Sequence, residues 1–451
     1  MTAHRLAQWL VRVEIPLLAL IYVYFVVSDN VPVAAFVLIG LIWLARAWTT
    51  RRLSLATPFD LPVLILLAWL PVTLAVTTNA WLSLPKVYGV LLGVAFFYAI
   101  VNQISSRRDL AWATLWLVAA CIAISAAGLI GTDWAQDKII SASFIYDRLP
   151  HFVQGIPRSI AGGFARNGVG GTLTFIVPLL AALVVSKSKG TPALAGGAGE
   201  SQKSKEEELF TVHHSLLTAL VWLALALSLV TLALTQSRGA ILGASVGLLA
   251  VVTLRLAQGR FWREKRFAWL IVAGAAALAV IVLIGQGNAL LEFLLRMDAR
   301  SGTLASRLEV WQRGVMMVQD FPITGIGIGT YNSIAHSLYP FFIAAPDEVV
   351  AHAHNNLLEV AVDVGIPGLI AYVALLTGFV VCAVRAYRAT ADAGVRALMA
   401  GLGFGMLAHQ VFGLTDAFIL GTKPGLLMWI YFALVGVAYV RRNEWRETGD
   451  V

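Results

Sequence analysis

The stretch from Val350 to Gly368 reads VAHAHNNLLEVAVDVGIPG, and the apolar run that it opens continues to Val384. From Asn355 onward the polar residues Asn355, Glu359 and Asp363 recur every fourth position, which places them on one face of a helix. The run is long and apolar enough to cross a bilayer, for which about 20 residues suffice. The stretch therefore predicts a membrane helix with His352 and His354, two of the eight histidines, at its mouth, and carboxylates continuing inward. Ionisable groups inside a span are costly and by default suggest function. A plainer reading stands beside this one: Asn355 caps the helix and the histidines sit among lipid headgroups.

The rest of the chain has the same character. Of 451 residues, 59% are hydrophobic and 13% charged, with a mean hydropathy of +0.79. A soluble domain carries about 25% charge. The fold class expected is an all-α polytopic membrane protein. Twelve candidate spans lie near 11–28, 31–47, 60–78, 86–104, 110–131, 168–186, 215–235, 239–256, 268–287, 357–384, 397–416 and 424–440. The run after Arg5 lacks a small-residue cleavage site and reads as a retained first span. Cys121 and Cys382 lie far apart in apolar runs, so neither a disulfide framework nor a cysteine metal cluster is indicated.

Basic residues in the loops set the orientation. With both termini in the cytoplasm, 22 of the 33 lysines and arginines fall on the cytoplasmic side, so the net charge of +8 reads as membrane orientation and not as nucleic-acid binding. The chain then divides into three parts. Residues 1–287 hold spans one to nine, with an outer loop at 132–167 and a flexible cytoplasmic loop at 187–213 that is Gly/Ala/Ser-rich and then turns to KSKEEE. Residues 288–356 form a large outer loop, and residues 357–451 hold the last three spans. Inside the large loop, Ala289–Ala299 is amphipathic, and Ser306–Gln319 reads as a helix capped by Ser306 and ended by Phe321-Pro322. The following GIGIGTYN, Gly325 to Asn332, has no strand–helix unit around it. It is expected to be a compact glycine turn against the membrane part and not a dinucleotide site.

Arginine on the outer side runs against the charge bias, so each such residue invites a reason. Arg158 and Arg166 flank RSIAGGFARNG before the sixth span, Arg238 lies in TQSRGA between spans seven and eight, and Arg307 opens the loop helix. A guanidinium stays charged and its fork of donors suits phosphate oxygens. Each of these side chains can equally reach up to headgroups or pair with an acid. There is no Asp-x-Asp, no His-Glu-x-x-His and no phosphate-binding glycine loop, which gives a divalent metal or a nucleotide cycle little support.

Four segments now stand in order: the RNG before a span, TQSRGA, SRLEVWQRGVMMVQDFPITGIGIGTYN and AHAHNNLLEVAVDVGIPG. In a twelve-span frame with a large outer loop between spans nine and ten, this pattern resembles the O-antigen ligase family, within the O-antigen ligase and polymerase superfamily. The resemblance covers roughly Arg158 to Gly368. At Arg166-Asn167-Gly168 the chain departs from the Asn-Pro-Asn-like sequence common in relatives.

The resemblance implies a membrane glycosyltransferase fold. The donor would be a glycan on undecaprenyl diphosphate at the periplasmic leaflet of the inner membrane. The acceptor would be a sugar hydroxyl of lipid A–core oligosaccharide. No cofactor and no metal are expected, and membrane lipids surround the chain. On the residues, His354 is the expected general base, because histidine titrates near neutral pH and His354 directly precedes the span. Arg238 and Arg307, with Arg166 and Arg158 beside them, are expected to hold the departing diphosphate, and a single displacement would invert the anomeric centre. His352 and His336 are rival bases, and Asn355 supports the loop. An O-antigen polymerase or a protein-directed oligosaccharyltransferase would show the same pattern. A twelve-span transporter is the alternative from another class, although its charges would sit nearer mid-membrane.

Overall fold

The computed structural model describes residues 3–132, 134, 145, 164–185, 200–258, 303–342, 350–418 and 421–447. Arg158, the expected span at 268–287, the segment 289–299 and most of the loop at 132–167 lie outside the described residues. The helices are α1 (Ala3–Arg12), α2 (Glu14–Ser28), α3 (Val33–Thr50), α4 (Asp60–Val76), α5 (Ala80–Gln103), α6 (Arg107–Gly131), α7 (Arg166–Val185) and α8 (Glu200–Thr235). They continue with α9 (Arg238–Ala257), α10 (Thr303–Asp320), α11 (Tyr331–Leu338), α12 (Asn356–Ala389), α13 (Ala393–Phe412), α14 (Leu426–Val440) and α15 (Arg442–Glu447).

The chain is an all-α polytopic membrane protein. Among the described residues, nine helices are long and apolar enough to cross a membrane, α1 with α2 makes a bent pair, and α4 is a shorter apolar helix. All of the predicted spans except the one at 268–287 fall on these helices. The 52° bend between α1 and α2 has a cause in Pro16, which cannot donate to the carbonyl of Arg12. Large apolar side chains point outward: Val33, Leu61, Trp116 and Ile370 are each at least 60% exposed. That is the expected state where lipid tails are the solvent.

Helix α7 is buried along nearly its whole length, between α8, α9 and α13. The direction of each helix matters for the site. Helices α5, α7, α9 and α12 carry their site-bearing residues at their N-terminal ends, while α8 and α13 run the other way and end beside them.

Three expectations need correction. The flexible loop expected at 187–213 does not extend to its predicted end, because backbone from Glu200 is already helical and continuous with span seven. Gln, Lys and Glu dominate that segment, and all are good helix formers with no Gly or Pro to interrupt them. Ser306 is not a cap: α10 starts at Thr303, since Leu304 and Ala305 favour helix and no breaker intervenes after Gly302. The eleventh span ends at Phe412, so Asp416 lies in the irregular chain beyond it.

Helix α12 is two helices joined at Gly365, whose φ of 71° no bulky residue adopts easily. A Cβ there would meet the Ile323 carbonyl oxygen at 2.2 Å, so the kink also admits the chain after α10. The turn Gly325–Asn332 is the compact structure expected. The Ile326 N–H donates to the Val362 carbonyl at 2.9 Å, and the Ile328 N–H to Thr73 Oγ1 at 2.9 Å.

Candidate active site

The loop at 350–355 leads into α12, and its backbone groups are tied down one by one. The Ala353 N–H donates to Glu359 Oε2 at 2.7 Å. The His354 N–H donates to His352 Nδ1 at 3.2 Å, and the His354 carbonyl accepts from Trp311 Nε1 at 3.3 Å. Asn355 is the N-cap, its side chain accepting from the Leu358 N–H at 3.1 Å. Between these ties His354 holds a φ of 49°, in the left-handed region. For a residue other than glycine this costs on the order of 1–2 kcal/mol, so the surrounding bonds must hold it there.

Both histidines face Asp416. His352 Nε2 and His354 Nδ1 each lie 3.4 Å from Asp416 Oδ1. That is beyond an ordinary hydrogen bond, and the attraction at this distance is largely electrostatic. Asp416 is buried, and its segment is pinned by Asn356: the Asn356 N–H donates to the Gly413 carbonyl at 2.7 Å, and Asn356 Oδ1 accepts from the Phe418 N–H at 3.1 Å. Burial pushes the Asp416 carboxyl up, but the contact with His354 and the nearby charge of His352 outweigh it and hold the group below the usual carboxylate range. Burial pushes His352 below the usual histidine value, against the pull of Glu359 and Asp416.

The two imidazoles differ in what they have left to offer. His352 uses Nδ1 as an acceptor, so in its neutral form the proton is on Nε2, facing Asp416. His354 turns Nδ1 to Asp416, which leaves Nε2 as its basic nitrogen. The His354 side chain is also the more open, 30% exposed against 20%.

The other predicted residues divide. Arg238 is exposed at the turn between α8 and α9, just after Gln236, whose φ is 48°. The next residue, Gly239, packs so closely that a Cβ would lie 2.4 Å from Thr415 Oγ1, which brings this turn against the segment carrying Asp416. Arg307 is half-buried on α10, one turn ahead of the Trp311 that holds the His354 carbonyl. Arg166 is buried at the start of α7, with its guanidinium 6.0 Å from the Trp134 ring centre. The same end of α7 meets the Asp416 segment through His409, whose Nδ1 is 3.3 Å from the Gly171 carbonyl and whose Nε2 is 3.0 Å from that of Phe418. His336 is exposed on α11 and packs edge-on to Phe341, not on the histidine pair.

Two residues of this cluster were not singled out by the sequence reading. Asp416 stands alone after span eleven, and nothing in its local sequence ties it to His354. Lys86, on α5, reaches both carboxylates of the polar face on α12: its Nζ lies 2.6 Å from Glu359 Oε1 and 2.9 Å from Asp363 Oδ2.

One ligand atom each from His352, His354 and Asp416 lie within 4.8 Å of one another, so the set could take a metal ion. Chemically, the arrangement offers a base oriented by a buried carboxylate, with arginines on two adjoining elements.

Residues 223–373 match the family model described as O-antigen ligase. The matched region includes Arg238, Arg307, both loop histidines, Glu359 and Asp363. Over 137 residues the chain is 30% identical to the exopolysaccharide production protein ExoQ of Rhizobium meliloti. That likeness covers 29% of this chain and 29% of the relative.

Proposed function

We propose that this chain, which matches the O-antigen ligase family model over residues 223–373, is a metal-independent membrane glycosyltransferase. In this reading it takes a glycan from undecaprenyl diphosphate and passes it to a sugar hydroxyl of lipid A–core oligosaccharide, at the periplasmic face of the inner membrane. The observation that carries the reading is the orientation of His354. Its Nδ1 is turned to a buried carboxylate, its ring is partly open, and its carbonyl is held by the helix that bears Arg307.

The reaction balances as a single displacement. His354 Nε2 takes the proton of the acceptor hydroxyl, whose oxygen attacks the anomeric carbon from the face opposite the leaving group. The bond from that carbon to the diphosphate oxygen breaks, and its electron pair leaves with undecaprenyl diphosphate. The anomeric configuration inverts. Charge grows on the diphosphate as the bond breaks, and the Arg238 and Arg307 guanidiniums are assigned to bind it. Arg166 and Arg158 are assigned to the donor as well. Asp416 compensates the charge that His354 acquires, in the manner of a carboxylate behind a catalytic histidine.

A second reading concerns the acceptor. Likeness to an exopolysaccharide production protein supports transfer onto a second carrier-linked glycan, which would make the enzyme a polymerase. The test is reconstitution in liposomes with an undecaprenyl-diphosphate-linked glycan and each acceptor in turn, followed by mass analysis of products. The ligase reading expects glycan on lipid A–core only. Chain growth on the carrier alone would establish the polymerase, and no transfer to any acceptor would remove the glycosyltransferase assignment.

A further inference from the structure

We infer that Lys86 is a positioning residue that sets both loops of the site at once, through two carboxylates one turn apart on α12. Each of those carboxylates divides its oxygens between the lysine and one loop. Glu359 gives Oε1 to Lys86 at 2.6 Å and Oε2 to the Ala353 N–H at 2.7 Å. Asp363 gives Oδ2 to Lys86 at 2.9 Å and Oδ1 to the Gly329 N–H at 2.9 Å. Ala353 is fully buried between the two histidines, so its N–H fixes the place from which His354 departs in its left-handed conformation. Gly329 lies in the glycine turn that follows α10, the helix of Arg307 and Trp311.

Charge explains why one cation is shared. Both carboxylates are buried, and a buried charge is tolerated only when paired and hydrogen-bonded. A single lysine cannot neutralise two acids, so the remaining stabilisation comes from the N–H groups of the loops. Ordering the loops and pairing the two buried acids are therefore one event. The two branches differ in strength. The glycine turn has a further tie, because Thr73 Oγ1 accepts from the Ile328 N–H and donates to the Asp363 carbonyl at 2.7 Å. Within the histidine loop, the Ala353 bond is the link to this lysine cluster. Glu359 is accordingly the branch through which Lys86 reaches the histidine loop, beside the hold of Trp311 on the His354 carbonyl. That catalytic half of the inference rests on His354 being the base.

The experiment is hydrogen–deuterium exchange read by mass spectrometry on the purified full chain, with glycan transfer measured on the same preparations. Glu359→Ala is expected to speed exchange over 350–356 about tenfold or more, the factor carried by one lost buried hydrogen bond, and to leave 325–332 unchanged. Asp363→Ala should do the reverse, more weakly. Lys86→Met should release both segments, and Lys86→Arg, which keeps donors for both acids, should release neither. In transfer, Glu359→Ala should lower kcat by roughly 10–100-fold with the donor KM held within about threefold, the pattern of a displaced base and not of lost binding.

Unchanged exchange at 350–356 in Glu359→Ala overturns the inference. So does a uniform rise over all helices in Lys86→Met, which would make the lysine a packing element. If Lys86→Met does not fold, the opposite patterns of the two carboxylate variants decide. The predicted exchange pattern with a wild-type protein that transfers no glycan would leave the positioning role standing and refute the proposed function.

Discussion

Asp416→Asn is the most informative single change outside the histidine itself. The substitution keeps size and hydrogen-bonding ability and removes one negative charge from a buried site. At 3.4 Å from His354 Nδ1, and with an effective dielectric near 20, a carboxylate and an imidazolium attract by about 5 kcal/mol. In the transition state the proton is only part-transferred, so roughly half of that, about 2–3 kcal/mol, bears on the barrier. This corresponds to a loss in kcat of about 30–150-fold. The amide can also turn its NH2 toward Nδ1 and favour the wrong tautomer, which would deepen the loss. The assay is single-turnover transfer from a carrier-linked glycan in liposomes, with donor binding measured separately. Donor affinity should stay within about threefold, because no arginine is touched. An Asp416→Asn variant that transfers within threefold of wild type would refute the reasoning, since the carboxylate would then neither orient nor compensate the base.

Arg238→Lys should be nearly as damaging as Arg238→Ala in donor affinity, because a lysine cannot offer the two-pronged donor set; full activity in the lysine variant would reduce the residue to a general positive charge. Transfer should survive excess chelator, whereas a strict requirement for an added divalent ion, lost together with His352 or Asp416, would turn the three-residue cluster into a metal centre. Thermal stability should respond to acid in two stages. Folding holds His352 below its ordinary value of about 6.5, so the neutral form is favoured in the fold and stability falls as pH drops below that value. Asp416 is likewise depressed, and its contribution is present above the ordinary carboxylate value and lost only in stronger acid. The first decline should be flatter in His352→Asn, and a melting temperature that stays level from neutral pH down to the ordinary carboxylate value would contradict the His352 assignment.

Much of the fold was legible because the bilayer leaves few options. A run of about 20 apolar residues must form its backbone hydrogen bonds internally, so each run could be read singly. The polar face of α12 was also legible, since Asn355, Glu359 and Asp363 follow the helical repeat. What those residues bind was not. Lys86 lies 273 positions before Glu359 in the chain, and their pairing depends on α5 and α12 meeting at one end of the bundle. Asp416 carried a faint signal, an acid alone at the end of an apolar run, but its link to His354 is made by Asn356 clasping the chain between Gly413 and Phe418. The arginines were picked out by their place against the charge bias. The elements that carry Arg238 and Arg307 meet the Asp416 segment and the histidine loop through tertiary contacts, Gly239 on Thr415 and Trp311 on His354, for which the sequence has no local mark. The Ser306 boundary failed for an ordinary reason: a capping residue does not cap when the residues before it are themselves content in a helix.

The central claim is that His354 activates the acceptor while the arginines hold the donor. Its most direct test is donor binding and glycan transfer measured side by side for His354→Ala and His352→Ala. The account predicts that His354→Ala binds the carrier-linked donor normally and loses transfer by about 10²–10⁴-fold, with His352→Ala much less affected. Transfer at near wild-type rates in His354→Ala, or loss of donor binding along with transfer, would contradict it.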